Sequence, residues 1–281
     1  MKGKYKLIVF DLDGTLLTSD KILTPRVLRS IDDVRKAGLK ITISTGRSFP
    51  SAKPYLELLE IEGPASTQNG ALILSINPRE IHRLVIFPLK KLRTMLETAK
   101  NLDLFPILFV PSFSVPYIFM EGNYPRESVF SFYFEKAVKN AVLLKDIFHA
   151  LEKWHSFNEL VVVGELEKVR KFIKTFGSDG LSFIMNSVYK GEAFLEVYGP
   201  GCSKRESLEF FSRFYRISLD QIIFVGDNLN DLDAIISAGL GVAMENAPDV
   251  VKESADLVIP SNENEGVASF LEKIIEENKV S

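Results

Sequence analysis

The amino-acid sequence predicts an α/β fold: a Rossmann-like parallel sheet with helices on its faces, and a smaller α+β domain inserted into it. Short apolar runs alternate with amphipathic segments in the first and last thirds of the 281 residues, which is typical of a parallel sheet. The middle differs, because residues 84–190 hold 13 of the 21 phenylalanines and so indicate a separate core. We predict a core domain from residues 1–83 and 191–281, and an inserted domain at 84–190.

The first third contains predicted strands around one well-marked helix. Thr24 is a good N-cap and Pro25 suits the first helical position, so the helix begins there. Gly38 ends it. The apolar runs on either side are short enough to be buried strands. The predicted strands of this third cover residues 6–10, 39–44 and 64–74.

The other two thirds differ in pattern. In the middle, the predicted helices cover residues 89–101, 142–154 and 167–176, and the predicted strands 107–110, 117–120, 130–134, 160–164 and 183–186. The last third returns to regular alternation. Its predicted helices cover residues 203–214, 229–238 and 266–277, and its predicted strands 221–225, 242–244 and 257–259.

Composition and charge exclude several classes of protein. The net charge of −3 offers no basic surface for nucleic acid or for an anionic membrane. Cys202 is the single cysteine, so an intramolecular disulfide is impossible. The apolar run 7–10 is too short for a signal peptide, and prolines interrupt the apolar stretch 104–120, so neither predicts a membrane segment. We expect a cytoplasmic protein, and its oligomeric state stays open.

Two carboxylates, Asp11 and Asp13, follow the first predicted strand, and Gly14 permits a sharp exit from it. At this spacing, one carboxylate can attack phosphorus while the other protonates the leaving oxygen and later deprotonates water. Taken alone, the segment also fits a polar turn that closes a strand. A calcium loop is excluded, because it needs Gly and Glu where Leu16 and Ile22 stand.

A second polar segment, Ser44-Thr45-Gly46-Arg47, follows the predicted strand residues 39–43. A hydroxyl and a backbone N–H beside a glycine can hold phosphate oxygens. Alone, such a segment is more often an ordinary turn.

A third feature is Lys204, at the predicted start of a helix. A cation and a helix N-terminus both favour phosphate, although a single lysine is a weak signal. The preceding Gly199-Pro200-Gly201 does not form a dinucleotide loop, because Lys204 occupies the position of the third glycine.

The fourth segment runs from Gly226 to Asp231 as Gly-Asp-Asn-Leu-Asn-Asp and follows the strand at 221–225. Ligands of open α/β sheets bind at the carboxyl ends of the strands, so Asp227 and Asp231 should meet Asp11 and Asp13 there. Carboxylate oxygens suit Mg²⁺, and without a cation some of these groups would be driven to protonate. A helix cap explains one such residue but not the set. The sequence therefore predicts Mg²⁺ as cofactor.

In this order the four motifs resemble the signature of the haloacid dehalogenase (HAD) superfamily, over nearly the whole chain. Three further segments, Asn69-Gly70-Ala71, Leu195-Glu196-Val197 and Gly241 to Ala247, are similar to its Cof-type phosphatase subfamily. The long insertion before Lys204 lies where the superfamily's type II (C2B-like) cap is found. The resemblance implies a HAD core and an inserted cap that closes over the site and contacts the leaving group.

The resemblance also implies roles for single residues. Asp11 would be the nucleophile and a magnesium ligand, Asp13 the general acid/base with its backbone carbonyl on magnesium, and Asp227 a further magnesium ligand. The residues implied to bind phosphate are Leu12, Thr45, Gly46, Lys204 and Asn230. The residues implied to support the site are Asp231, Arg47 and Asn69.

The implied activity is Mg²⁺-dependent hydrolysis of small phosphate monoesters, with sugar phosphates expected, through an aspartyl-phosphate intermediate. Two alternatives stay open: a phosphotransferase or phosphomutase whose acceptor is a sugar hydroxyl, and a non-catalytic phosphometabolite sensor. Such a sensor would be free to lose Asp13 or Lys204, and both are present. Arg205 departs from the subgroup, which usually has Gly after the lysine.

Overall fold

The computed structural model describes residues 4–113 and 117–280. Its strands are β1 (Leu7–Phe10), β2 (Lys40–Ile43), β3 (Pro64–Thr67), β4 (Leu72–Ser75), β5 (Glu80–Leu84), β6 (Phe105–Phe109), β7 (Ile118–Glu121), β8 (Ala141–Leu144), β9 (Glu159–Glu165), β10 (Ser182–Tyr189), β11 (Glu192–Tyr198), β12 (Ile222–Gly226), β13 (Leu240–Met244) and β14 (Leu257–Ile259). Its α-helices are α1 (Pro25–Lys36), α2 (Phe49–Leu58), α3 (Leu89–Asn101), α4 (Ser131–Val138), α5 (Phe148–Lys153), α6 (Leu166–Phe176), α7 (Lys204–Tyr215), α8 (Leu232–Ser237), α9 (Asp249–Ser254) and α10 (Gly266–Val280). None of these helices has the length and apolar composition that a membrane crossing requires.

The chain forms two compact units, which we describe separately. The described part of the first comprises residues 4–47, 51–82 and 203–280, and that of the second residues 48–50, 83–113 and 117–202. Residues 191–202, which the predicted division assigned to the core, belong to the second unit, because β11 pairs with β10 and β9. Residues 1–3, 114–116 and 281, which that division includes, lie outside the described residues. That the units are independent domains stays a prediction.

A five-stranded parallel sheet forms the centre of the first unit, in the order β14-β13-β12-β1-β2. The four residues of β1 are fully buried, as expected for a central strand covered on both faces. Phe10 at the end of β1 pairs with Val225 of β12 and with Ile43 of β2. The chain segments that follow these three strands therefore leave the sheet at the same level.

Helix α1 begins and ends where the sequence predicted. The hydroxyl of Thr24 accepts a hydrogen bond from the backbone N–H of Val27, and Pro25 occupies the first helical position. Gly38, with φ +90°, follows the end of the helix, in a conformation that a side chain disfavours. The apolar face of the helix is buried, which secures the connection between β1 and β2.

The strand predicted over residues 64–74 is wrong, because two strands and a tight turn replace it. Strands β3 and β4 pair antiparallel, and Gln68–Gly70 forms a single 3₁₀ turn between them. Asn69 and Gly70 both have positive φ, 50° and 92°. A Cβ on Gly70 would lie 3.0 Å from the Ser203 carbonyl oxygen, so this glycine also permits the close approach of α7.

The second unit contains a six-stranded sheet in the order β10-β11-β9-β6-β7-β8, with helices packed on it. The strand predicted at 130–134 is wrong: α4 occupies 131–138, and its Phe134 and Ala137 are buried at helical spacing. The helix predicted at 142–154 is partly wrong, because β8 pairs with β7 before α5 begins. Aromatic residues misled the first of these predictions, since packing decides such segments more than intrinsic preference does.

Candidate active site

The polar residues that follow three parallel strands meet at one edge of the sheet in the first unit. Asp11 comes directly after β1, Thr45 lies two residues after β2, and Asp227 comes directly after β12. The backbone N–H of Asp11 donates to the Val225 carbonyl at 3.0 Å, and that of Thr45 donates to the Ser66 carbonyl at 3.0 Å. Backbone hydrogen bonds thus hold Asp11 and Thr45 at the carboxyl ends of the strands.

Lys204 is a buried cation between two carboxylates. It is the first residue of α7, which Ser203 caps by accepting from the Glu206 N–H. Its Nζ lies 2.9 Å from Oδ1 of Asp11 and 2.6 Å from Oδ1 of Asp231. Burial opposes the charge of the ammonium, but Asp11 and Asp231 outweigh it and raise the pKa of Lys204. A fixed positive charge therefore faces Asp11.

Asp231 holds the loop after β12 in place as well as pairing with Lys204. Its Oδ1 contacts Lys204, while its Oδ2 accepts from the backbone N–H groups of Asp227 and Asn228, at 3.1 and 3.0 Å. A Cβ on Gly226 would lie 2.5 Å from Cγ of Asp231, so only glycine fits there. Asp231 consequently fixes the loop that carries Asp227.

Asp227 packs against the turn that follows β1. Its Oδ1 accepts from the hydroxyl of Thr15 at 3.0 Å. Gly14 has φ +76°, and a Cβ there would lie 2.2 Å from Oδ2 of Asp227. Glycine is therefore required for this contact. Burial and the charge of Asp231 raise the pKa of Asp227 to about 6, although Lys204 opposes the shift.

Three carboxylates share this site with one lysine. One oxygen each of Asp11, Asp227 and Asp231 lies within 4.8 Å of the others. Burial raises the pKa of Asp11 to about 8 against the opposing charge of Lys204, and Asp231 and Asp227 add to the rise. Oxygen donors with surplus negative charge suit a hard divalent cation, which would let them stay ionised together. The donor set therefore fits Mg²⁺.

Asp13 is held by two cations instead of by the buried lysine. Nε and Nη2 of Arg47 donate to its two oxygens at 2.5 and 2.7 Å, and Nζ of Lys21 lies 2.8 Å from its Oδ1. Partial burial alone would raise the pKa of Asp13, but the hydrogen bonds and charge of Arg47, together with Lys21, lower it to about 2. In this arrangement Asp13 is ionised at neutral pH.

Replacing Arg47 by Met is expected to raise the pKa of Asp13 from about 2 toward its ordinary 3.8. The reason is that two charge-assisted hydrogen bonds are lost while Lys21 remains. A ¹³C carboxyl titration of the metal-free protein measures this shift. Arg35→Met, whose guanidinium pairs with Asp32 on the surface of α1, is the matched control. An unchanged pKa would show that Lys21 alone sets the ionisation of Asp13.

The predicted phosphate-binding turn is joined to the loop after β12 by two asparagines. The backbone N–H of Asn69 donates to the Thr45 carbonyl at 3.0 Å, and its side-chain Oδ1 accepts from Nδ2 of Asn230 at 3.0 Å. A Cβ on Gly46 would lie 3.2 Å from Nδ2 of Asn69. Oδ1 of Asn230 is buried without a hydrogen-bond partner among the described residues. This oxygen can therefore accept a hydrogen bond from a further group.

The structure brings the predicted residues into one connected set. Leu12 is buried beside them, with its carbonyl accepting from the N–H of Leu17 at 2.9 Å. Arg205 leaves Lys204 undisturbed, because it lies on the outer side of α7 and pairs with Glu209 at 3.4 Å. The roles of these residues stay predictions.

Among the residues that contact the predicted carboxylates, Lys21 and Asn246 were missed at the sequence level. Lys21 gave no signal, because its contact with Asp13 depends on a turn in which Lys21 has φ 64°. Asn246, which donates to Oδ2 of Asp227 at 3.3 Å, lies in the segment from Gly241 to Ala247 that resembled the Cof-type subfamily. That resemblance was the one signal that could have pointed to it.

Several known proteins of similar sequence or fold are phosphatases by name. The chain is 27% identical to the 5-amino-6-(5-phospho-D-ribitylamino)uracil phosphatase YitU of Bacillus subtilis, over 97% of this chain and 98% of that protein. It is 26% identical to the pyridoxal phosphate phosphatase YbhA of Escherichia coli, over 95% and 97%. The HAD subclass IIB sugar phosphatase BT4131 shares its fold, with a TM-score of 0.77 and 22% identity over 96% and 98%. A family model for haloacid dehalogenase-like hydrolases matches residues 8–271. This match covers the lysine and the carboxylates described above, and the chain belongs to the haloacid dehalogenase-like hydrolase family.

Proposed function

We propose that this hydrolase is an Mg²⁺-dependent phosphatase of small phosphate monoesters and that Asp11 is its nucleophile. The observation that carries the proposal is the buried contact between Nζ of Lys204 and Oδ1 of Asp11, at 2.9 Å, among further carboxylates at the end of the sheet. A carboxylate beside a fixed cation is suited to approach a phosphate dianion, which it would otherwise repel. Bound Mg²⁺ would supply further positive charge to the phosphoryl oxygens.

In the first step, an oxygen of Asp11 forms a bond to phosphorus as the bond to the leaving oxygen breaks. The leaving oxygen takes a proton from Asp13. In the second step, water attacks phosphorus, Asp13 accepts the proton of that water, and the bond between Asp11 and phosphorus breaks. Phosphate is released and both carboxylates return to their starting states, as general acid/base catalysis requires.

The contacts of Asp13 in the structure suit the second of these steps. With Arg47 and Lys21 on its oxygens, Asp13 is ionised and can accept a proton from water. To act as an acid it must first take up a proton, and at least one of these contacts must then loosen. Lys21 is the more exposed of the two cations, with 46% of its side chain accessible against 17% for Arg47. Lys21 is therefore the partner that we expect to move.

We assign phosphate binding to Lys204, which contacts Asp11, and to groups from the loops that follow β2 and β12. Lys204 supplies charge, Thr45 and Gly46 supply a hydroxyl and backbone N–H groups, and Asn230 supplies its amide. Leu12 is included through the resemblance alone. Oδ2 of Asp231 accepts hydrogen bonds from the backbone of the loop after β12. These bonds restrain the loop, which also carries Asn230.

Small phosphate monoesters are the proposed substrate class, with sugar phosphates first. The relatives named for pyridoxal phosphate and for a phosphorylated ribitylaminouracil make these compounds the natural comparison substrates. A cytoplasmic location and the absence of nucleic-acid and membrane partners stay predictions.

The test is a screen for phosphate release from these monoesters, with Mg²⁺ and with a chelator. We expect release from at least one of them that depends on Mg²⁺ and needs no acceptor sugar. Release that begins only when an acceptor sugar is added would favour the phosphotransferase or phosphomutase. Binding of a phosphate ester without turnover, with Mg²⁺ present, would overturn the proposal in favour of the sensor.

A further inference from the structure

We propose that Asn246 is a positioning residue for the divalent-cation site, because its amide holds Asp227 and the turn at Gly14 in the arrangement that receives the ion. The inference rests on the proposed Mg²⁺ dependence and adds a residue outside the predicted ligands. Asn246 follows β13 in the first unit, and it is exposed in a turn, where the Ala247 N–H donates to the Met244 carbonyl at 3.0 Å. It can therefore be replaced without opening the core.

The first step is that Asp227 is held on both oxygens. Its Oδ1 accepts from the hydroxyl of Thr15 at 3.0 Å, and its Oδ2 accepts from Nδ2 of Asn246 at 3.3 Å. Two donors from different segments restrict rotation of the carboxylate. A carboxylate oxygen has more than one acceptor position, so these bonds orient Asp227 and still leave lone pairs for a cation.

The second step is that the same amide holds the turn after β1. Nδ2 of Asn246 also donates to the carbonyl oxygen of Gly14 at 2.9 Å. That carbonyl directly follows Asp13, whose backbone is predicted to contact the ion. One amide group consequently ties the segment of Asp13 to Asp227.

The third step is that a hydrogen bond to its oxygen fixes the orientation of the Asn246 amide. Its Oδ1 accepts from the backbone N–H of Asn262 at 3.2 Å. A rotated amide would place an oxygen against Asp227 and the Gly14 carbonyl and an NH₂ group against an N–H, and would lose all three contacts. Nδ2 therefore faces Asp227 and the turn at Gly14, where it donates to a carboxylate oxygen and to a carbonyl oxygen.

Residues that orient metal ligands in this way change metal affinity by about 10–100-fold when they are replaced. The experiment is calorimetric titration of the full-length protein with Mg²⁺ alone, without substrate. Asn246→Leu removes the donor at similar volume, and Asn246→Ala removes the side chain. Asn264→Ala is the matched control, since Asn264 is an exposed asparagine in the 3₁₀ turn Asn262–Asn264.

We expect both variants at Asn246 to bind Mg²⁺ about tenfold more weakly than the wild type, with Asn264→Ala unchanged. We also expect the melting temperature in a chelator to be the same for all four proteins. Wild-type affinity in Asn246→Leu would overturn the inference. A matching loss of melting temperature in the chelator would also overturn it, since Asn246 would then stabilise the fold in general.

The two proposals fail in different ways. If the wild type releases no phosphate or binds no Mg²⁺, the proposed function is wrong and the inference falls with it. If the wild type binds Mg²⁺ and hydrolyses a monoester while Asn246→Leu binds the ion equally well, only the inference about Asn246 is wrong.

Discussion

Asp11→Asn is expected to abolish turnover, lowering kcat by at least about 10⁴-fold, as loss of a nucleophile does in other covalent enzymes. The amide has nearly the shape of the carboxylate but cannot form the aspartyl-phosphate bond. Lys204 keeps its second partner, because Nζ also lies 2.6 Å from Oδ1 of Asp231. The fold should therefore persist, and the loss can be assigned to chemistry.

Phosphate release under saturating Mg²⁺ measures the effect, and Asp33→Asn, an exposed carboxylate that pairs with Lys36 on α1, is the matched control. Rapid-quench trapping of phosphate bound to the protein provides a second measurement, since only a carboxylate at position 11 can carry it. Turnover in Asp11→Asn within about tenfold of the wild type would contradict the assignment.

Asp11→Asn should also change how the metal-free protein responds to pH. The pKa of Asp11 is raised from 3.8 to about 8 by burial, so the folded state holds its proton more tightly than the unfolded state does. This tighter binding of the proton stabilises the folded state. The stabilisation is fully present below about pH 4 and is lost as the pH rises toward about 8. In a chelator, the melting temperature of the wild type should fall more across this range than that of Asp11→Asn.

The sequence was informative about the sheet because each core strand carries its own signal. The apolar run before Asp11 is buried on both faces, and Thr24, Pro25 and Gly38 mark the limits of α1 through local backbone chemistry. Such signals need no knowledge of the rest of the chain. They were therefore sufficient to place Asp11, Thr45 and Asp227 at one edge before any contact was known.

The second unit was less predictable, because its segments are decided by packing. Phe130, Tyr133 and Phe134 suit a strand by preference, yet Phe134 packs against Phe105 with ring centroids 5.3 Å apart from within a helix. The turn at Asn69 was missed for a different reason. A positive φ at a non-glycine residue leaves little mark on the sequence, and contacts with Thr45 and Asn230 stabilise it.

Within the site, the sequence could indicate which residues converge but not how their charges are shared. Nothing in the spacing of the motifs indicated that the ammonium of Lys204 would contact both Asp11 and Asp231. Nor did it indicate that Arg47 would pair with Asp13. These pairings depend on side chains from segments that are far apart in sequence. They also decide which carboxylates have raised pKa values and which have lowered ones.

Lys204→Met is expected to be the most destabilising single change in the site. It leaves Asp11 and Asp231 buried without a cation, and loss of one partner of a buried ion pair lowers the free energy of unfolding by about 3–5 kcal/mol. Turnover should also fall, by about 10²–10³-fold, since a preorganised charge that faces the phosphoryl oxygens is removed. Chemical denaturation in a chelator, at a pH above about 8 where Asp11 of the wild type is ionised, and phosphate release with Mg²⁺ measure the two effects. Lys53→Met, on the surface of α2, is the control.

The double variant Lys204→Met with Asp11→Asn separates charge balance from packing. If unpaired negative charge causes the instability, neutralising Asp11 should restore part of the stability, and the two changes will not add. The negative charge of Asp231 would still lack its lysine partner, but Oδ2 of Asp231 would keep two backbone N–H donors. A double variant as unstable as Lys204→Met would instead indicate that the aliphatic stem of the lysine, buried at the start of α7, holds the site together. The double variant should be as inactive as Asp11→Asn, because it lacks the nucleophile that forms the bond to phosphorus.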